Sequence, residues 1–213
     1  MTLGSSASPI NFEEVVHGLT GEGYAVVDHF LDANEVAGCR SEAFLLSESQ
    51  AFRPAGVGHG TDYQQAKDVR SDLIHWVDDQ SSGPATLLYL ERLQNLVTYL
   101  NRTCFLGIRD AEIHYALYQP GSFYKRHLDV FRDGSARKLS VICYLNDQWH
   151  PGDGGELMIY LPNDDGTETA RQIEPLAGRL VCFESTRLEH EVLPAHRSRL
   201  SLTGWLKDEK HLF

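Results

Sequence analysis

The chain has 213 residues, 42% of them hydrophobic and 10% aromatic, enough for one substantial core and most simply for one domain. Nineteen Lys and Arg against thirty Asp and Glu leave a formal charge of −11, which argues against broad nucleic-acid binding but not against a local basic patch that grips a small anion. Cys39, Cys104, Cys143 and Cys182 form no C-x-x-C pair, "MTLGSSASPI" lacks basic and apolar signal regions, and no apolar run approaches the roughly 18 residues of a membrane span; a reduced, cytoplasmic protein with no secretion signal and no membrane partner is expected.

Residues 1–10 read as a flexible tail before a single domain over 11–213, with helical support over 11–110 and a β core over 111–207. Asn11 caps a short helix in "NFEEVVHGLTGEG" that stops at Gly21 or Gly23. "YAVVDHFL" is a β-rich run. "DANEVAGCRSEAFLLSESQ" predicts a helix capped by Asp32 or Asn34, with Val36, Cys39, Ala43 and Leu46 at helical spacing. Residues 53–68 are Gly-rich and polar and read as a loop, and "IHWVDD" as a short extended segment. "GPATLLYLERLQNLVTYLNRT" predicts a long helix with Leu87, Leu90, Leu93, Val97 and Leu100 on one broad face.

From about residue 111 the pattern changes to short strands: "EIHYALYQ", "YKRHLDV", "KLSVICYLN", "GELMIYLP", "RQIEP", "RLVCFES", "HEVLPA" and "RLSLTGWLK". Pro-Gly, Asp-Gly and Ala-Gly pairs mark the breaks. About eight strands at this spacing predict a mainly β fold, a double-sheet jelly roll or barrel, with the earlier helices packed outside one sheet. Asp164 and Asp165 read as a turn.

The chemistry starts in "YKRHLDVFRDG", where His127 and Asp129 stand two residues apart. Side chains at i and i+2 of a strand project the same way, so an imidazole and a carboxylate aim at one point. A second histidine from a distant strand would complete a 2-His-1-carboxylate set, which suits non-haem Fe(II). His150, His190, His196 and His211 are the candidates. In "RLSLTGWLK", Arg199, Ser201, Thr203 and Trp205 share one face and Leu200, Leu202 and Leu206 the other. Arg199 is suited to bidentate capture of a carboxylate. Tyr144, on one face with Ser140 and Ile142, offers a hydroxyl to the same carboxylate. His17, His29, His59, His75 and His114 are given no role, although His114, two strand repeats before Tyr118, shares the face that would turn to the cavity.

This constellation resembles the Fe(II)/2-oxoglutarate dioxygenases, and within them the prolyl hydroxylases of the hypoxia-inducible-factor type and their bacterial relatives. The resemblance spans about 13–207. "GYAVVDHFL" is similar to the family's N-terminal strand and "KDVRSDLIHWV" to its Arg-x-Asp-x-Ile-x-Trp segment. "LYQPGSFYKRHLD" is similar to its Tyr-Pro-Gly approach to His-x-Asp, one residue shorter here. "ICYLNDQW", "GGELMIY" and "HEVLPAHRSRLSLTGW" match the central and closing strands. Collagen-type enzymes usually carry Lys where this chain has Arg199. The resemblance implies that His127, Asp129 and His190 hold Fe(II), and that Arg199 and Tyr144 hold the distal carboxylate of 2-oxoglutarate. It implies that Thr203 touches an iron-bound water, and that Tyr118, Leu157, Val192 and Trp205 line the pocket. Arg70, Asp72 and Arg137 are then expected at the protein-substrate entrance.

The expected fold is a double-stranded β-helix (jelly roll, cupin-like) with N-terminal helices on one sheet. The expected reaction consumes O2 and 2-oxoglutarate, releases succinate and CO2, and makes 4-hydroxyproline in a protein, with ascorbate as an accessory reductant. The substrate protein expected from the bacterial branch is elongation factor Tu; no nucleic-acid partner is expected. The alternatives are a hydroxylase of a free amino acid or small metabolite, a ribosomal-protein prolyl hydroxylase, and a non-catalytic cupin-like metal-binding sensor. The loop over 53–75, with Gly56, Gly58 and Gly60, is expected to close over a bound polypeptide, with Asp72 either pairing Arg137 across it or, like Arg137, holding the peptide backbone.

Overall fold

The structure, a computed structural model, describes residues 11–56, 66, 68–129 and 136–208. The expected tail at 1–10, residues 57–65 and 67 of the expected lid, including Gly58, His59 and Gly60, and His211 lie outside the described residues.

Asn11 starts helix α1 (Phe12–Gly21) by accepting a hydrogen bond from the Glu13 amide at 3.2 Å, and Val15 and Leu19 turn inward. Strand β1 (Tyr24–Val27) is shorter than the β-rich run that contains it. The run breaks because His29 takes a left-handed backbone, φ 59°, and turns the chain towards α2 (Ala33–Glu48). Asp32 caps α2 by accepting from the Asn34 and Glu35 amides at 2.8 and 2.9 Å, and Glu35 accepts from the Asp32 amide at 2.7 Å. The short strands β2 (Arg53–Pro54) and β3 (Leu73–Trp76) follow.

Helix α3 (Pro84–Thr103) opens with proline in its first turn. Its free amides at Ala85 and Thr86 donate to the Glu42 carboxylate of α2 at 2.8 and 3.0 Å, which ties the two helices together. Leu87 does not join the buried face expected of it: it is 39% exposed, and the stripe runs through Tyr89, Leu93, Leu96, Val97 and Leu100. Tyr89 takes the core position beside Phe30, with ring centroids 6.3 Å apart, and that orientation turns Leu87 outward.

The eight strands expected downstream all form: β4 (Asp110–Tyr118), β5 (Tyr124–His127), β6 (Arg137–Tyr144), β7 (Leu157–Pro162), β8 (Glu168–Ile173), β9 (Leu180–Glu184), β10 (Glu189–Val192) and β11 (Arg199–Lys207). Seven strands pair in the order β1-β9-β6-β11-β4-β3-β2 and four in the order β5-β10-β7-β8. This is the double-stranded β-helix expected from the sequence. Strand β11 lies at the centre of the larger sheet, and its alternation divides the molecule into two layers. Leu202 and Leu206 pack with Val15, Val36 and Leu93 of the helices, whereas Thr203 and Trp205 face the smaller sheet. Each fully buried leucine in the helix layer stabilises the fold by roughly 1.5–3 kcal/mol. A second apolar cluster, with Ile142, Leu157, Ile159, Val181, Phe183 and Val192, lies between the sheets, and the polar groups of the site are set into it. No described helix is long and apolar enough to cross a membrane.

Candidate metal centre and cosubstrate cavity

Strands β5 and β10 lie side by side with His127 opposite His190. Asp129 follows two residues after His127. One ligand atom from each of the three lies within 4.8 Å of the others. His127 Nε2 is 3.5 Å from Asp129 Oδ1, and His190 Nε2 is 3.4 Å from Asp129 Oδ2. The other ring nitrogens face backbone carbonyls: His127 Nδ1 donates to Lys125 O at 2.7 Å and His190 Nδ1 to Leu188 O at 3.1 Å. A carbonyl can only accept, so each Nδ1 carries a proton and Nε2 is the nitrogen turned to the shared centre.

Ser140 donates to Asp129 Oδ2 at 2.6 Å, and Ser185 backs Ser140 at 2.9 Å. Burial alone would raise the Asp129 carboxyl, but His190 and His127 beside it hold it well below the usual carboxylate range. Burial pushes His127 below the ordinary histidine value. Two imidazoles and one ionised carboxylate converging from one side are the donor set of a three-ligand Fe(II) site with open positions. Among the described residues His150 and His196 stand outside this group. Both are exposed, and His196 Nδ1 donates to Gly152 O at 2.7 Å.

The three residues open into a small cavity of about 40 Å³ between the sheets, lined also by Tyr118, Leu157, Val192, Thr203 and Trp205. Arg199 lies behind the Tyr118 wall, opposite Tyr118 in the β11–β4 register, with its guanidinium carbon 4.8 Å from the Tyr118 ring and 4.9 Å from the Tyr144 ring. Arg199 is 1% exposed and its Nε and Nη2 have no hydrogen-bond partner; neither has the buried Tyr144 hydroxyl. Burial raises the Tyr144 pKa against the opposing pull of Arg199, so the phenol is a donor. A buried guanidinium and a buried phenol with idle donors suit an anion with two acceptor oxygens, such as a carboxylate. Gly155 makes room for the arginine: a Cβ there would lie 2.9 Å from Arg199 Cδ, and its φ of +67° favours glycine. Thr203 Oγ1 and Ser201 Oγ are 2.8 Å apart on the same face.

At the other end of the cavity the expected pairing of Asp72 with Arg137 does not form. Asp72 is bound by Arg70 through two hydrogen bonds, Nε to Oδ1 at 2.8 Å and Nη2 to Oδ2 at 2.6 Å, and is 1% exposed. Arg137 lies 3.7 Å from Glu112 and 3.4 Å from the Trp205 ring centroid. The reason is register. Arg70 sits two residues from Asp72 on one extended segment, while Glu112 stands opposite Trp205 in the β4–β11 pairing and so meets the start of β6. Arg70 also covers the Tyr124 ring at 4.3 Å, and Tyr124 stacks on His127 at 3.6 Å. Ser140, Tyr124, Glu112 and Gly155 thus shape the site although the sequence reading gave them no role there. Only Ser140 carried a signal, its shared strand face with Ile142 and Tyr144.

The profile of the 2OG-Fe(II) oxygenase superfamily matches residues 113–207. The chain is 31% identical over 208 residues to the hypoxia-inducible factor prolyl hydroxylase of Caenorhabditis elegans, covering 92% of this chain and 28% of that protein. It is 28% identical to Egl nine homolog 1 of Homo sapiens, covering 95% of this chain and 48% of that protein. The chain therefore spans less than half the length of each of these two relatives. Among solved structures, a Pseudomonas putida prolyl-4-hydroxylase superposes with a TM-score of 0.82 at 39% identity, covering 94% of this chain and 100% of that one. A prolyl hydroxylase in complex with a hypoxia inducible factor oxygen degradation domain peptide fragment, from Trichoplax adhaerens, superposes with a TM-score of 0.81 at 27% identity, covering 92% of this chain and 89% of that one.

Proposed function

Because the chain belongs to the 2OG-Fe(II) oxygenase superfamily, we propose that it is a prolyl 4-hydroxylase that uses Fe(II), 2-oxoglutarate and O2 to modify a prolyl residue of a protein. The observation that carries this reading is the pairing of two unfinished sites across one inter-sheet layer. His127, Asp129 and His190 converge without a fourth protein ligand among the described residues, and Arg199 with Tyr144 offers idle donors behind the Tyr118 wall.

In this reading His127, Asp129 and His190 hold the iron, and the fixed Nδ1–H bonds keep both imidazoles in the ligating tautomer. Arg199 and Tyr144 bind the distal carboxylate of 2-oxoglutarate, and Gly155 lets the arginine reach it. Tyr118, Leu157 and Val192 shape the apolar sleeve around the carbon chain. Thr203 places a hydroxyl beside the metal, and Trp205 walls the mouth. Bound Fe(II) and 2-oxoglutarate supply the oxygen activation that turns a C–H bond into C–OH with release of succinate and CO2. The protein's own work is to keep the site dry and the target carbon within reach. Arg70, Asp72 and Arg137 are mouth residues in this reading. Arg70 and Asp72 act as one unit, and Arg137 with Glu112 and Trp205 forms the opposite wall.

A polypeptide substrate is supported by the likeness to a prolyl hydroxylase solved with a peptide fragment. The likeness to a Pseudomonas enzyme supports a bacterial branch, and on that branch elongation factor Tu is our candidate substrate. The test is anaerobic loading of the protein with Fe(II) and 2-oxoglutarate, then addition of oxygen with elongation factor Tu or a cell extract. Mass spectrometry should find one proline that has gained one oxygen atom, with matching succinate. Succinate formation with no modified proline in any protein would overturn the prolyl assignment and keep the dioxygenase one.

A further inference from the structure

The β4–β11 pairing places Arg199 opposite Tyr118 and Thr203 opposite His114. Four residues of strand span about 13 Å, so His114 and Thr203 stand well towards the mouth from the level of Arg199. His114 lines the same cavity as His127, Asp129 and His190. It is 2% exposed, and its Nδ1 has no hydrogen-bond partner. Its ring forms a cluster with two indoles, 4.9 Å from Trp76 and 5.6 Å from Trp205, which lie 6.4 Å from each other, and Trp76 is half exposed at the rim. A side chain there for packing alone would be apolar, because a buried nitrogen without a partner is unfavourable. Burial and then Arg70 hold its pKa down to about 4, so near neutral pH it is an uncharged hydrogen-bonding group.

We propose that His114 is a substrate-contacting specificity residue whose Nδ1–H donates a hydrogen bond to a peptide carbonyl oxygen beside the target proline. The inference rests on the reading of the chain as a protein prolyl hydroxylase. A prolyl residue brings no N–H into the mouth, and the polar backbone atoms that accompany its ring are carbonyl oxygens. A donor at this height completes them, and an acceptor would not. The contact orients the peptide across the mouth without touching the iron ligands or Arg199.

The test uses the full chain with Fe(II), 2-oxoglutarate and O2 and a peptide library with one fixed central proline. In His114→Asn the amide nitrogen takes the place of Nδ1; in His114→Phe the volume stays and the donor goes. His114→Phe should raise the peptide KM about three- to tenfold, the loss of one neutral hydrogen bond, with the 2-oxoglutarate KM as in the unmodified chain. His114→Asn should return the peptide KM to within about twofold. Should His114→Phe fail to fold, His114→Gln, whose amide nitrogen reaches the Nε2 position instead, takes its place in the comparison. Equal peptide KM values for the unmodified chain and the donor-deficient variant, or equal losses in that variant and in His114→Asn, would overturn the inference alone. An unmodified chain that hydroxylates no peptide of the library would overturn the prolyl reading, and this inference with it.

Discussion

Arg70 forks onto Asp72 at 2.8 and 2.6 Å, and the same guanidinium covers Tyr124, which stacks on His127. A buried ion pair at the mouth thus braces one proposed iron ligand through an aromatic ring. Asp72→Ala leaves that guanidinium buried and unpaired, and we expect a cost of about 3–5 kcal/mol in unfolding free energy. Fe(II) affinity should fall with it as His127 loosens. Replacing the pair together, Arg70→Met with Asp72→Leu, should cost less than the sum of the two single changes. Denaturant melts of the single and double variants test this; additive losses would show that the two side chains do not act as a unit.

Each of His127→Ala, Asp129→Ala and His190→Ala should abolish turnover and weaken Fe(II) binding, since each removes one of three converging ligands. His196→Ala should keep most activity, because His196 is exposed and spends its Nδ1 on the Gly152 carbonyl. Succinate release and metal titration are the measurements. Loss in the His196 variant with retention in the His190 variant would assign the distal ligand wrongly.

Arg199→Lys should raise the 2-oxoglutarate KM about tenfold to a hundredfold, because an ammonium gives a point charge where a planar fork fits a carboxylate. Tyr144→Phe should act in the same direction and less. Gly155→Ala reaches the same end by another route: its Cβ would press on Arg199 Cδ at 2.9 Å. All three effects should fall on the 2-oxoglutarate KM and not on the peptide KM; an unchanged 2-oxoglutarate KM in all three would place the cosubstrate elsewhere.

The metal-free protein should lose stability in mild acid through His114. Its pKa lies at about 4 when folded, lowered by burial and then by Arg70, with Arg137 also lowering and Asp72 and Asp129 opposing. The unfolded chain takes up that proton near the ordinary value of about 6.5. Between the two values the unfolded state binds more protons, so stability is lost as pH falls from about 6.5 towards 4 and no further below. The whole span is worth about 3 kcal/mol. His114→Asn removes this titration. The variant should therefore gain on the unmodified chain between pH 7 and pH 4.5 in chemical unfolding, whereas a pH-independent difference between them would mean that His114 does not carry the effect.

The sequence alone determined what depends on local spacing. Alternation along "RLSLTGWLK" put Arg199, Thr203 and Trp205 on one face and the leucines on the other, and turn residues cut the second half into the eight strands that form. His-x-Asp placed two ligand types on one side of one segment. Helical periodicity found α3 but turned its buried face by a residue, because Tyr89 and Phe30 meet only once the helix is docked. Partners across the fold were a different matter. Asp72 chose Arg70 over Arg137, Arg137 chose Glu112 and Trp205, and Ser140 found Asp129, all through strand register and the path of a loop. The orphaned donors of Arg199 and Tyr144 and the unpartnered Nδ1 of His114 are likewise invisible in sequence. A hydrogen-bond deficit exists only after burial has removed water and packing has decided which neighbours remain within reach.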